Sequence, residues 1–211
     1  TRNPYPTRLG INLSVSDLPL SALPDEQRRD LTHLPAFAID DAGSDAPDDA
    51  LSLDGERLWV HVADAAALVV PDSPLDMEAR ARVSTLYLPE GSTPMLPPAI
   101  APRLGLGLSE RSPALSFGLQ FDAEGRLGDV EIAPSWVRVT RLTYDEAEAR
   151  LDDDGPLAAL YRLGQIYAER RRADGALSID FRRVPLDITA MLRVAASSGI
   201  PHTDAWIAEW M

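Results

Sequence analysis

A dense group of carboxylates lies between residues 39 and 51. Five aspartates fall within ten positions of one another: Asp40, Asp41, Asp45, Asp48 and Asp49. Short apolar runs precede and follow them, which predicts a loop between two strands, with Asp40 ending the first and Asp49 opening the second. Converging carboxylates repel one another, and hard cations such as Mg²⁺ relieve that repulsion because they prefer oxygen ligands. The stretch is a candidate metal site.

The same aspartates also have a simpler interpretation. The chain has 33 acidic residues, so acidic clusters arise by chance, and most charge runs are solvated surface or helix caps. The order of a pair, a single acid and a pair is not that of an EF-hand, which needs alternating acids, a Gly and a distal Glu. Residue types alone therefore favour a solvated loop, with a metal site as the alternative.

Composition excludes several classes of protein. The 211 residues contain no cysteine, which excludes disulfides, thiolate zinc sites and cysteine nucleophiles, and fits a cytoplasmic location. No apolar run approaches the ~18 residues that a membrane span needs. Residues 104–110 are rich in Gly but lack the GxGxxG spacing, so they predict no dinucleotide site. The net charge of −13 is the wrong sign for nonspecific binding of a polyanion, so any nucleic-acid function must account for it.

Hydrophobic periodicity and capping signals predict a mixed α/β (α+β) fold, with a mostly antiparallel or mixed sheet and flanking helices. Strands are expected at about 35–40, 49–53, 57–63, 114–122, 130–139, 176–182 and 188–195. Helices are expected at about 23–31, 74–83, 144–151 and 156–172. His61 lies inside one strand, where a lone histidine is more often structural than catalytic.

The chain ends suggest a domain organisation. Residues 1–27 are Pro-rich and irregular, as in a covering segment or linker, and residues 28–211 are expected to form one domain. The chain starts without Met, and its last residues read as an amphipathic helix from Thr203 without a stop signal. We therefore expect the chain to be a fragment of a longer polypeptide.

Seven short segments occur in an order and spacing that are typical of one enzyme family. They are 29–35 (RDLTHLP), 39–51 (the aspartate stretch), 59–64 (WVHVAD), 75–80 (LDMEAR), 87–97 (YLP with PMLP), 142–144 (LTY) and 209–211 (EWM). Together they resemble the catalytic domain of the ribonuclease II family, which includes ribonuclease R, over about residues 28–211. The resemblance implies that residues 28–211 are the first half of that domain, truncated at its C-terminus.

The resemblance implies a hydrolytic exonuclease. Members degrade single-stranded RNA from its 3′ end and release 5′-monophosphates with Mg²⁺, for which Mn²⁺ is an alternative. By this resemblance Asp40 and Asp49 hold the metal, and Asp48, a further candidate metal ligand, matches the aspartate that catalysis requires. Asp45 is the candidate for the remaining metal ligand. Two-metal chemistry explains such a cluster, because paired ions stabilise both the attacking and the leaving oxygen.

One position departs from the family pattern. The family places a further aspartate at the position of Ala46, whereas this chain has Asp45 one residue earlier. Either the loop is re-spaced and Asp45 still reaches the metal, or that ligand is lost. We favour the first, because a loop absorbs a shift of one residue.

Four residues match family positions along the RNA path. Tyr87 and Tyr144 correspond to tyrosines near the 3′ end, where aromatic faces stack on bases without reading sequence. Phe181 corresponds to an aromatic that clamps the terminal base, although a strand core residue is an equal interpretation. Glu209 matches an acid near the terminal nucleotide. The implied partner is single-stranded RNA, with no DNA or membrane expected, and flanking RNA-binding domains of the same polypeptide would supply basic surface.

Three hypotheses follow. The first is an active Mg²⁺-dependent 3′→5′ exoribonuclease, which the family spacing of Asp40, Asp48 and Asp49 favours. The second is an RNA-binding or regulatory homologue whose altered loop no longer catalyses. The third is a scaffold that a cation stabilises. Metal-dependent turnover distinguishes the first from the others, and RNA binding without turnover identifies the second.

Overall fold

A computed structural model describes residues 27–42, 44, 47–88, 91–97, 100–151 and 155–176. Nine strands lie in this part of the chain: β1 (Arg29–Asp30), β2 (Ala36–Asp40), β3 (Asp49–Asp54), β4 (Arg57–Ala63), β5 (Leu86–Leu88), β6 (Gly91–Thr93), β7 (Ser112–Phe121), β8 (Leu127–Val137) and β9 (Val139–Thr143). Four helices accompany them: α1 (Pro74–Arg82), α2 (Ala101–Leu104), α3 (Tyr144–Glu148) and α4 (Pro156–Ala173). Within the described ranges, no helix is long and apolar enough to cross a lipid bilayer.

Seven of the strands form one mixed sheet in the order β1-β8-β7-β4-β3-β2-β9. The five central strands, β8, β7, β4, β3 and β2, are antiparallel to one another. The edge strands β1 and β9 pair in parallel with β8 and β2, respectively. Strands β5 and β6 make a separate two-stranded sheet. The predicted fold class, a mixed and mostly antiparallel sheet with flanking helices, is confirmed.

The two faces of the central strands differ in side-chain size. The buried face consists largely of small residues from β2, β3, β7 and β8, namely Ala36, Ala38, Ala50, Ser52, Ala114, Ser116 and Ser135. Trp59 and His61 of β4 fill the space above these small side chains. The larger residues Leu115 and Phe117 lie half-buried on the opposite face. The alternation expected in β7 is present, but its small residues are the ones that face the core.

Local signals in the sequence start the helices as expected. The Ser73 hydroxyl accepts a hydrogen bond from the Asp76 amide and caps α1, whose first residue is Pro74. Thr143 and Glu146 form a capping box at the start of α3, because each side chain bonds the backbone amide of the other residue. Each cap fixes the point at which the chain leaves a loop or strand, so both helix starts follow from sequence.

Three expectations differ from the structure. The end of the helix expected at 23–31 is wrong, because Arg29 and Asp30 form β1 and pair with Ser135 and Trp136. The Pro-rich stretch 87–98 predicts a loop, but strands β5 and β6 pair with each other within it. The strand expected at 130–139 starts earlier and breaks at Arg138, after which β9 pairs at the far edge of the sheet. The strands expected within 176–195 lie almost wholly outside the described residues.

Candidate functional site

Two adjacent strands bring three of the five aspartates to one end of the sheet. Strands β2 and β3 are antiparallel, with Phe37 opposite Leu51, so the end of β2 lies beside the start of β3. Asp40 is the last residue of β2, and Asp48 and Asp49 stand at the start of β3. The convergence expected from the sequence is therefore present for these three, while Asp45 lies outside the described residues.

The carboxylate of Asp40 is oriented by its own loop. The Ser44 hydroxyl donates to Asp40 Oδ2 at 2.5 Å, and the Asp41 amide donates to Asp40 Oδ1 at 2.8 Å. The Ser44 amide in turn bonds the Asp41 carbonyl at 3.1 Å, which closes a turn after Asp40. Each carboxylate oxygen retains a further lone pair, so the two bonds orient Asp40 and leave it able to accept a ligand bond.

Neighbouring elements fix the second half of the loop. The Leu106 amide donates to the Pro47 carbonyl at 2.8 Å, and the Ala63 amide donates to the Asp48 carbonyl at 2.8 Å. Leu106 is fully buried, so the turn that follows α2 is a firm support for Pro47. Asp48 is exposed although its backbone is tied to the end of β4, so its side chain is accessible from solvent.

Burial and neighbouring charges both act on the carboxyl group of Asp49. Partial burial raises the pKa of the Asp49 carboxyl, and the negative charges of Asp48 and Asp40 raise it further. The shift shows that the three carboxylates are near enough to destabilise the ionised form of Asp49. A cation bound between them would remove that penalty, and hard oxygen donors suit Mg²⁺ or Mn²⁺.

The described residues alone do not complete a metal site. Among them, no group of three or more acidic or histidine side chains is arranged to hold a metal ion. The donor chemistry and the repulsion at Asp49 fit a divalent cation, but a full ligand set requires a further group. Asp45 is the acid that the sequence offers for this purpose, and its assignment remains a prediction.

Tyr144 stands next to the carboxylates. The parallel pairing of β2 with β9 places Thr143 opposite Asp40, and Tyr144 follows it as the first residue of α3. Its side chain is 45% exposed, which leaves ring surface available to a ligand. Tyr87 lies in β5, opposite Ser92 of β6. Phe181 and Glu209 lie outside the described residues, so all four RNA contacts remain predictions.

One histidine prediction is resolved by the structure. His61 is fully buried, and its ring nitrogens lie 2.9 Å from Ser52 Oγ and 2.7 Å from Ser116 Oγ. Burial lowers the pKa of His61 to about 4, so its imidazole is neutral at physiological pH. The structural role expected for His61 is confirmed.

Two residues at the site were not identified from the sequence. Ser44 bonds Asp40 directly, and Arg141 of β9 donates to the Ser44 carbonyl at 2.5 Å. The position of Ser44 among the aspartates could have indicated a hydrogen bond to one of them. The Arg141 contact depends on the parallel pairing of β9 with β2, which no local pattern predicts.

Comparisons with known proteins identify the family to which the chain belongs. A model described as "RNB domain" matches residues 28–202. An uncharacterized ribonuclease from Synechocystis sp. is 38% identical over 178 residues, which is 79% of this chain and 27% of that protein. Exoribonuclease 2 from Edwardsiella piscicida is 38% identical over 136 residues, covering 61% of this chain and 21% of that protein.

A solved structure agrees with the fold. RNase R from Mycoplasma genitalium, in complex with double-stranded RNA, matches with a TM-score of 0.69 and 23% identity, over 81% of this chain and 34% of that one. The chain spans about a quarter of the length of the curated relatives it matches. The match over most of the sequence and the shared fold agree with the motif order, and the chain belongs to the RNB domain family of ribonucleases.

Proposed function

We propose that this chain is the metal-binding part of a hydrolytic exoribonuclease that degrades single-stranded RNA in the 3′→5′ direction and releases 5′-monophosphates. The observation that supports this most directly is the meeting of Asp40, Asp48 and Asp49 at one end of the sheet. Membership of the RNB domain family and relatives named as ribonucleases support the same class of reaction. The ribonuclease II type and the direction follow from the motif resemblance.

We propose Mg²⁺ as the cofactor, with Mn²⁺ as the alternative. Asp40, Asp48 and Asp49 would hold it, and Asp45 would supply the further ligand from the same loop. When bound, the ion supplies a polarised phosphate and an acidified water. The contribution of the chain is to orient the carboxylates, since Ser44 and the Asp41 amide fix Asp40 while the backbone of Asp48 is tied to Ala63.

The RNA would approach along Tyr144. Tyr144 is 45% exposed and follows Thr143, which pairs with Asp40 in the sheet. Stacking on an aromatic ring is worth ~1–3 kcal/mol per base without selecting a sequence. This fits an exonuclease that must accept every nucleotide in turn. Because the chain is acidic overall, basic surface from the rest of the polypeptide would supply most of the contacts to phosphate.

The first test uses the complete natural polypeptide that contains this sequence. Single-stranded RNA labelled at its 5′ end is incubated with Mg²⁺ and resolved on a sequencing gel. We expect progressive shortening from the 3′ end, and we expect EDTA or Asp48→Asn to abolish it. Asp54→Asn is the matched control, because Asp54 is an exposed aspartate at the opposite end of β3 and should leave activity unchanged.

Two results would contradict the proposal in different ways. Intact RNA in every lane, with RNA binding still measurable, would show that the re-spaced loop is catalytically inactive and would favour a binding or regulatory role. Shortening that persists in EDTA and in Asp48→Asn would show that the activity does not depend on this carboxylate group.

A further inference from the structure

We infer that Arg141 is a positioning residue for the aspartate loop, acting through Ser44 on Asp40. This inference rests on the proposed function for its consequence in catalysis, but the contacts that support it are independent of any substrate. Arg141 Nη2 donates to the Ser44 carbonyl, and the Ser44 hydroxyl donates to Asp40 Oδ2, each at 2.5 Å. A chain of two hydrogen bonds therefore leads from β9 to the carboxylate that ends β2.

The pairing of β9 with β2 places Arg141 where its side chain can contact Ser44. Arg141 lies opposite Ala38 in the parallel β2–β9 pair, and Asp40 is two residues beyond Ala38 on the same face. From this position the Arg side chain extends along the edge of the sheet toward the loop. A shorter side chain at residue 141 would end before the Ser44 carbonyl.

Gly107 provides the surface over which the Arg141 stem passes. A β-carbon at Gly107 would lie 2.9 Å from Arg141 Cγ and 2.9 Å from the Val139 carbonyl oxygen, closer than real contacts allow. Gly107 also has a φ of +79°, a conformation that side chains disfavour. The preceding residue, Leu106, bonds Pro47 of the loop, so one turn supports both the Arg141 stem and the other half of the aspartate loop.

Within the part of the chain that the structure describes, Arg141 forms a hydrogen bond to a neutral group and no ion pair. Its guanidinium donates to the Ser44 carbonyl, and none of the described carboxylates lies within ion-pair distance. A cation placed near carboxylates purely to balance charge would be expected to contact one of them. The bond to a carbonyl instead fixes the backbone of Ser44, and through the Ser44 hydroxyl it fixes the orientation of Asp40.

The direction in which cation affinity changes when Arg141 is replaced distinguishes a positioning role from a purely electrostatic one. If Arg141 were only a nearby positive charge, its removal would strengthen the binding of a divalent cation. If it positions Asp40, its removal must weaken cation binding, because residues that orient metal ligands typically contribute about 10–100-fold in affinity or activity. Arg141→Met keeps the aliphatic stem over Gly107 and removes the donor together with the charge.

The experiment measures Mn²⁺ affinity by titration calorimetry and amide hydrogen exchange of residues 41–48 in the complete polypeptide. We expect Arg141→Met and Ser44→Ala each to weaken Mn²⁺ binding by about 10-fold. The double variant should lose little more than either single one, because both act through Asp40. Arg141→Met should also speed exchange in the loop. Arg138→Met is the matched control, since Arg138 is an exposed arginine three positions away that pairs only weakly with Glu110 at 3.4 Å.

RNA turnover gives a further readout. We expect Arg141→Met to lower kcat by about 10-fold and to leave the KM for RNA unchanged, because Arg141 is not assigned a contact with RNA. Tighter or unchanged Mn²⁺ binding together with unchanged loop exchange would overturn the inference. If the wild type degrades no RNA or binds no Mn²⁺, the proposed function is wrong, whereas loop exchange in Arg141→Met against Arg138→Met still decides whether Arg141 positions the loop.

Discussion

At the scale of the residue, the buried histidine of β4 has one consistent protonation pattern. The Ser135 hydroxyl donates to the Ala114 carbonyl at 3.4 Å and lies 2.5 Å from Ser116 Oγ, so Ser116 is assigned as the donor to Ser135. His61 Nδ1–H then donates to Ser116, and Nε2 accepts from Ser52. This assignment satisfies every member of a hydrogen-bonded chain across four strands, and it requires a neutral imidazole.

The sign of the resulting pH dependence follows from the pKa of His61. Burial lowers that pKa to about 4 from an ordinary value of 6.5, so the unfolded chain binds a proton between these limits and the native chain does not. The free energy of unfolding therefore decreases as the pH falls through this window. For such a shift we expect a loss of about 2 kcal/mol between about pH 7 and about pH 5.

The measurement is urea unfolding at both pH values, followed by tryptophan fluorescence. His61→Gln should lower stability at neutral pH and flatten the pH dependence relative to the wild type. His33 is exposed, so His33→Gln serves as the control and should keep the slope of the wild type. An equal slope in the wild type and in His61→Gln would mean that His61 already accepts a proton in the folded chain.

At the scale of the element, the contact between β4 and β7 depends on the absence of a side chain. Gly118 lies opposite Trp59, and a β-carbon there would approach three atoms of the indole ring at 2.8–3.1 Å. Trp59 is fully buried, so it has little room to move. We expect Gly118→Ala to reduce the free energy of unfolding by about 1–3 kcal/mol, the usual cost of overpacking a core.

Another glycine of the same sheet supplies the comparison for this experiment. A β-carbon at Gly128 of β8 would meet only the Gln120 carbonyl oxygen at 3.5 Å, an ordinary contact. The free energy of unfolding of Gly128→Ala should therefore lie within about 0.5 kcal/mol of the wild-type value, as it does for most exposed substitutions. Equal destabilisation by the two substitutions would indicate that strand propensity, rather than the indole ring, decides the effect at Gly118.

Elements fixed by local signals were predictable, whereas long-range pairings were not. The Ser73 cap, the Asp54–Gly55 turn and the Thr143 capping box each depend on a few adjacent residues, and the structure contains all three. Strand β1 contacts β8 about a hundred residues later, and two residues leave no periodic pattern to recognise. The parallel pairing of β9 with β2 was missed for the same reason.

At the scale of the whole molecule, the same distinction applies to the site. The meeting of Asp40 with Asp49 was predictable because consecutive antiparallel strands bring those ends together. The contribution of Arg141 was not, since it reaches Ser44 from about a hundred residues away in sequence. Candidate ligand residues can often be recognised in a sequence from their types and spacing. Residues that position those ligands can often be recognised only from the folded structure.

One ion pair joins distant parts of the chain at the same end of the sheet. Arg28 precedes β1, and its Nη2 lies 2.7 Å from Asp64 Oδ2 after β4, with 2% and 14% of the two side chains exposed. The same guanidinium donates to the Ala114 carbonyl of β7 at 3.4 Å and lies 5.7 Å from the ring centre of Trp136 on β8. Asp64 also accepts from the Ala67 amide and so caps the 3₁₀ turn that follows β4.

Removal of this carboxylate should destabilise the whole sheet, because β1, β4, β7 and β8 meet at Arg28. Asp64→Asn removes the negative charge that pairs with this buried guanidinium. Breaking a buried pair in this way typically costs about 3–5 kcal/mol. Asp129→Asn is the control, since Asp129 pairs with Arg57 at 2.9 Å but is 65% exposed, where an ion pair contributes ~1 kcal/mol or less. The midpoint of urea unfolding should therefore fall strongly for Asp64→Asn and hardly change for Asp129→Asn. If both variants unfold like the wild type, Arg28 finds enough compensation elsewhere, and its pairing with Asp64 contributes no more than a surface ion pair.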